Sequence, residues 1–267
     1  MIRKPAVSGQ FYPGTASALE KQISLYVDQK AEKKNAIGAV CPHAGYIYSG
    51  PVAGATISKI APADSFVILG PNHTGIGPEF SIMTGGTWKT PLGDAEIDSE
   101  LASQLLTNSS LLKDDASAHA FEHSIEVQIP FLQYLFKTFV FVPIVVSHAG
   151  ASTYKNIGSA IAKAIKSSKK KIVIIASSDM THYETHESAK QKDAKAIDAI
   201  LALDVDKLLQ TVEKSNISMC GYGPVAIMLA AAKELGAKGA ELVKYQTSGD
   251  ASGDYSAVVG YAGIIVS

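Results

Sequence analysis

Four histidines occupy equivalent places, each just beyond a short apolar run. His43 follows residues 36–41 through Pro42, and His73 follows residues 65–69 through Gly70, Pro71 and Asn72. His148 follows residues 139–146, and His182 follows residues 171–176. A single loop histidine is most often a surface or hydrogen-bonding group, because loops carry polar side chains. Four at matching positions point to shared chemistry. Neutral imidazole is the commonest metal ligand and the usual acid–base group near neutral pH. A transition-metal ion needs three or more such donors from separate elements. His43 and His73 form the strongest pair, because each sits in a Gly/Pro-rich turn that fixes the backbone and admits a ligand closely.

Two further residues belong to this inventory. Asp179 lies three residues before His182, where a carboxylate can orient an imidazole or raise its basicity. Its alternative role is to cap a following helix. Cys220 stands in Ser218-Met-Cys-Gly-Tyr-Gly-Pro224, just ahead of a helical pattern. A helix N-terminus lowers a thiol pKa, so ligand, nucleophile and buried structural thiol all stay open for it. Cys41, at an apolar strand end, reads as structural. Tyr46, Tyr48 and Tyr222 offer an aromatic edge for a planar ligand, or simply pack the rim.

Other motifs carry less. Residues 221–226 fit G-x-G-x-x-A, but the stretch before them is a poor strand. His119 and His123 are four apart without the H-E-x-x-H order of a zinc helix. No G-x-S-x-G occurs, so a hydrolase serine elbow is unsupported.

The elements that must hold these residues alternate. Apolar, β-branched runs predict buried strands over 37–40, 65–69, 139–146, 171–176, 241–246 and 257–266. Helical spacing appears over 16–29, 99–106, 151–166, 187–203 and 225–235, with Asp98 and Ser99 as caps. A further helix over 124–136 is kinked or begun by Pro130. This order predicts an α/β fold, a single-domain layered sandwich over 1–267 with a mostly parallel mixed sheet flanked by helices. Strands read as parallel put the four histidines on one edge, the rim where open α/β sheets bind ligands.

Composition bounds the function. The chain has 267 residues, long enough to bury a full core. It carries 24 basic and 25 acidic side chains, a net charge of −1, so no global field draws nucleic acid or anionic lipid. Two cysteines rule out a disulfide framework, and no apolar run approaches the ~20 residues that span a bilayer. The opening residues lack a signal-peptide core, and the expected location is cytoplasmic.

Several long motifs in order make the chain resemble the Memo family, called AmmeMemoRadiSam system protein B in many microbes. They are residues 3–14, Pro42-His-Ala-Gly-Tyr-Ile-Tyr-Ser-Gly50, Leu69-Gly-Pro-Asn-His73, Glu122-His-Ser-Ile-Glu-Val-Gln128, Ser178-Asp-Met-Thr-His182, Met219-Cys-Gly-Tyr-Gly-Pro224 and Tyr261-Ala-Gly263. That family is similar in fold to the class III extradiol dioxygenases, non-haem iron enzymes. The resemblance implies His43, His73 and Cys220 as metal ligands, His182 as the acid–base residue and Asp179 beside it. Glu122 and His123 would take supporting positions behind the ligands. The implied metal is Fe(II), with Cu or Zn as alternatives, since a thiolate in place of a carboxylate softens the site.

Two readings follow. One is a metal-dependent oxidoreductase of dioxygenase type acting on an aromatic or small molecule. The other is a binding protein without turnover, for a metal, a peptide or a phosphotyrosine-like group. A cysteine hydrolase using Cys220 with His182 ranks third. The family's microbial name implies partners in a radical-SAM pathway.

Overall fold

The computed structural model describes residues 1–267. Its strands are, in chain order, β1 (Ile2–Arg3), β2 (Gly38–Cys41), β3 (Ser65–Pro71), β4 (Phe80–Ile82), β5 (Thr87–Thr90), β6 (Gly93–Ile97), β7 (Lys113–Asp114), β8 (Val140–Val146), β9 (Ile172–Ser177), β10 (His182–Glu184), β11 (Ala240–Thr247) and β12 (Val258–Val266). All belong to one sheet. Its centre runs β6-β8-β3-β9-β2, every pair parallel. Beyond β2, β12 is antiparallel and carries β11 and β10. Beyond β6, β5 is antiparallel and carries β1.

The helices are α1 (Ala16–Ser24), α2 (Tyr46–Ser58), α3 (Ser99–Asn108), α4 (Ile129–Leu135), α5 (Ala151–Ser167), α6 (His186–Leu201), α7 (Val205–Lys214), α8 (Tyr222–Glu234) and α9 (Gly249–Ser252). Strand side chains alternate between faces. Val40, Val67, Leu69, Val142 and Ile174 pack under α3 and α5–α8. Ala39, Phe66, Ile68, Phe141 and Ile175 pack under α1, α2 and α4. Each fully buried side chain of this kind is worth ~1.5–3 kcal/mol, so both faces hold the central strands firmly. No helix is long and apolar enough to cross a membrane.

The expected central strands and helix layers are present, and Pro130 stands at the start of α4. The short outer strands and α2 were not anticipated. In α2, Gly50, Pro51 and Gly54 disguise the helix. The glycines serve packing: a Cβ on Gly54 would lie 2.6 Å from the Tyr26 carbonyl oxygen, and one on Gly50 would lie 2.5 Å from the Tyr26 ring. The helix expected over 187–203 ends at Leu201. Leu203 takes a left-handed φ of 54°, and the Asp204 side chain accepts from Lys207 N to cap α7.

One crossing shapes the site. After β9, residues 178–181 pass over the end of β2, with Ser178 N donating to Cys41 O at 2.9 Å. The chain then joins β12, Met180 N donating to Gly260 O at 2.8 Å. Asp179 and His182 thereby arrive beside His43.

Candidate metal centre

His43, His73 and His123 each present one ring nitrogen to a common space, and these donor atoms all lie within 4.8 Å of one another. The rings of His73 and His123 stack at 4.6 Å and 19°, and His43 stands edge-on to both. His43 is buried, His123 half-buried and His73 exposed, so the cluster opens to solvent on one side.

The tautomers are fixed by what faces the other nitrogen. Ser177 Oγ donates its only proton to Ser124 O at 2.6 Å and accepts from Gln128 Nε2 at 2.9 Å. Its remaining lone pair must accept from His43 Nδ1, 2.9 Å away. Gln128 is itself oriented, because its Nε2 also donates to Pro42 O. His43 Nε2 is therefore left with a free lone pair. His73 Nδ1 lies 2.9 Å from Glu122 Oε1, and His73 N donates to Glu122 Oε2 at 2.7 Å. The carboxylate thus leaves His73 Nε2 as the ligand atom. His123 Nδ1 lies 3.6 Å from the same Glu122 Oε1. His182 Nδ1 donates to Ser218 O at 2.9 Å, which bares its Nε2 as well.

Electrostatics favour neutral imidazole. Burial, with the neighbouring His73, His123 and His182, pushes His43 well below its ordinary value. Burial alone would raise the Glu122 carboxyl, but the hydrogen bond and charge of His73, the Ser124 N–H and His123 bring it down to about 2. Burial lifts Asp179 to about 6, against the hydrogen bond it accepts from His43 N at 2.7 Å. Asp179 therefore holds the His43 backbone and caps no helix; β10 follows it.

Cys220 Sγ lies 3.2 Å from His43 Nε2 and accepts from Asp179 N at 3.3 Å. It stands outside the three-histidine set. The lowered thiol pKa expected at a helix N-terminus is not found: burial, reinforced by the Asp179 charge, pushes it up. Two glycines let these pieces meet. A Cβ on Gly70 would strike Ser124 Oγ, and one on Gly221 would strike Ser177 O.

Other expected residues go elsewhere. His148 stacks on Tyr222 and hydrogen-bonds its hydroxyl at 2.8 Å, apart from the cluster. Tyr46 is no rim residue: it is buried against Tyr12 and Phe131, its hydroxyl donating to Val127 O. Tyr48 remains exposed, and Cys41 is buried. His119 is buried near Trp88, away from His123, because residues 117–123 form a 3-10 turn and a loop instead of a helix. A surface cavity of about 670 Å³ is lined by residues such as Asp206, Glu213 and Tyr222, and by none of the clustered histidines.

The place of His123 in the cluster was not visible in the sequence, nor were the roles of Ser177 and Gln128. The motif Glu122–Gln128 was the one signal for all but Ser177.

The donors fit a transition-metal ion: three imidazoles from separate segments, two held with a bare Nε2, and a thiol beside them. Fold and site define an α/β protein with a histidine cluster at the carboxyl ends of its parallel strands. The chain belongs to the Memo family, whose model, described as a Memo-like protein, matches residues 3–265. It is similar to a MEMO1 family protein of Methanosarcina acetivorans, 49% identical over 267 residues and covering 99% of both chains. A MEMO1 family protein of Methanopyrus kandleri is 47% identical, again over 99% of both. The fold resembles the crystal structure of the uncharacterized protein JW3007 from Escherichia coli K12, with a TM-score of 0.59 at 12% identity, covering 85% of this chain and 98% of that one.

Proposed function

We propose that this protein binds a divalent transition metal, Fe(II) before Cu or Zn, and uses it for redox chemistry of dioxygenase type on a small aromatic molecule. The observation that supports this is the convergence of His43, His73 and His123, the first two with their Nε2 atoms bared. Cys220 is a further ligand candidate through its place beside His43 Nε2. A metal bound here would supply an open coordination position and a redox couple.

The chain's own residues supply the rest. Glu122 holds His73 in one tautomer, and Ser177 does the same for His43. His182, with its free Nε2, moves the substrate proton, work worth roughly 10²–10⁴-fold. Asp179 fixes the His43 backbone through its carboxylate, donates its own N–H to Cys220 Sγ, and its charge acts on that thiol.

The test is metal analysis of anaerobically purified protein, followed by oxygen uptake over a panel of catechols. The expected result is bound iron and uptake that His182→Gln slows by at least tenfold. Tight metal retention with no uptake on any substrate would favour the binding-only reading. Absence of bound metal would overturn the metal-dependent enzyme and leave only a peptide- or phosphotyrosine-type ligand for the binding reading.

A further inference from the structure

We infer that Arg3 and Glu126 are positioning residues of the histidine cluster, so that the segment from Arg3 to Tyr12 forms the back wall of the metal centre. This rests on the reading of that cluster as a metal site.

The geometry runs inward in three steps. Arg3 is buried, and its guanidinium lies 4.0 Å from the centre of the Trp88 ring. Its Nε donates to His119 O at 2.7 Å and its Nη2 to Glu122 O at 2.7 Å. One planar fork therefore clamps both ends of the irregular turn that delivers Glu122 and His123. That turn has no helix or strand of its own to hold it.

Glu126 is the anchor for the fork. Its Oε2 accepts from Arg3 Nη1 at 2.6 Å and Ala6 N at 2.7 Å, and its Oε1 from Tyr12 Oη at 2.6 Å and Val7 N at 3.1 Å. Four donors saturate a carboxylate that no solvent reaches. Between these contacts the segment places Phe11 edge-on to His123 at 4.9 Å, and Phe11 O accepts from Tyr46 N at the start of α2.

The third step is Glu122 itself. Its side chain takes His73 N, His73 Nδ1 and Ser124 N, while its backbone carbonyl is held by Arg3. Release of that carbonyl frees the carboxylate to shift, and with it the tautomer and ring plane of His73. Groups behind metal ligands typically change metal affinity by ~10–100-fold, and Arg3 stands one layer further out, so about tenfold is expected.

The experiment uses the full chain with Arg3→Lys and the double variant Arg3→Met/Glu126→Gln. The double variant removes both charges together, so no lone charge is left buried. The first readout needs no metal: ¹⁵N shifts of the histidine rings. The wild type is expected to show His73 protonated at Nδ1 only, and both variants to show mixed tautomers. The second readout is titration with Co²⁺, followed by its visible absorption. Both variants are expected to bind it about tenfold more weakly with altered bands.

Arg3→Lys keeps the charge but loses the fork, so it is expected not to rescue either readout. Folded variants with wild-type ring shifts would overturn the inference and leave Arg3 a purely structural residue. A wild type that binds no Co²⁺ would refute the metal reading, while the ring shifts would still decide the positioning role.

Discussion

Two buried carboxylates stand four residues apart on one irregular segment, and their surroundings differ. Glu126 faces four donors, one of them a permanent cation, all from the segment Arg3–Tyr12. Glu122 faces the imidazoles of His73 and His123, whose charge depends on pH and on what they bind. The first arrangement locks backbone to backbone. The second sets the orientation and protonation of ligands. The same residue type thus serves as a bolt on one side and as a tuning element on the other, and Arg3 ties the two through the Glu122 carbonyl.

The largest effect should come from breaking the bolt alone. Arg3→Met leaves Glu126 buried without its cation, and such a loss costs about 3–5 kcal/mol. Urea unfolding should report it, with the Arg3→Met/Glu126→Gln double variant recovering part of the loss. Equal stability of wild type and single variant would remove the contrast between the two carboxylates.

A smaller effect is expected on the tuning side. Glu122→Gln keeps the shape of the side chain, so it should lower stability less than Arg3→Met does. Its main effect should be on metal, weakening affinity by about 10–100-fold. Isothermal titration of the two variants in parallel separates the roles. Unchanged affinity in Glu122→Gln would make both carboxylates structural.

The smallest effect is in the pH dependence, where the two sides titrate in different windows. Burial brings His119, beside Arg3, from 6.5 down to about 4. The unfolded chain binds that proton more readily, so stability falls as pH drops from 6.5 towards 4. His43 acts with the same sign. Glu122 is depressed from 4.5 to about 2, so its contribution is complete above pH 4.5 and is lost as pH falls towards 2. Asp179, raised from 3.8 to about 6, works oppositely and favours the fold towards lower pH in that range. Urea midpoints should therefore fall in two stages. His119→Phe should make the first stage shallower, the His43 share remaining, and leave the second, since both His119 ring nitrogens lack partners. A His119→Phe profile parallel to wild type would contradict this assignment.

Much of this architecture was legible in the residues. The central strands announce themselves as apolar runs because both faces are buried. His43 and His73 were legible because each directly follows such a run. The outer strands were not: β6 alternates exposed acids with buried Ala95 and Ile97 over only five residues. Helix α2 was hidden by Pro51 and by two glycines that serve its contact with Tyr26. His123 was hidden for a deeper reason. No periodic element carries it, and tertiary contacts from Arg3 and Glu126 place the segment that holds it. For the thiol of Cys220 the pKa direction was not legible, because local helix position favours the thiolate while burial in the finished fold disfavours it more.

The central claim is that His43, His73 and His123 hold one metal ion. Anaerobic titration of metal-free protein with Fe²⁺ or Co²⁺, beside His43→Ala, His73→Ala and His123→Ala, tests it most directly. One equivalent bound by the wild type, and loss of that binding in His43→Ala and His73→Ala with clear weakening in His123→Ala, is the predicted result. Wild-type affinity in all three variants, or no binding by the wild type, would contradict it.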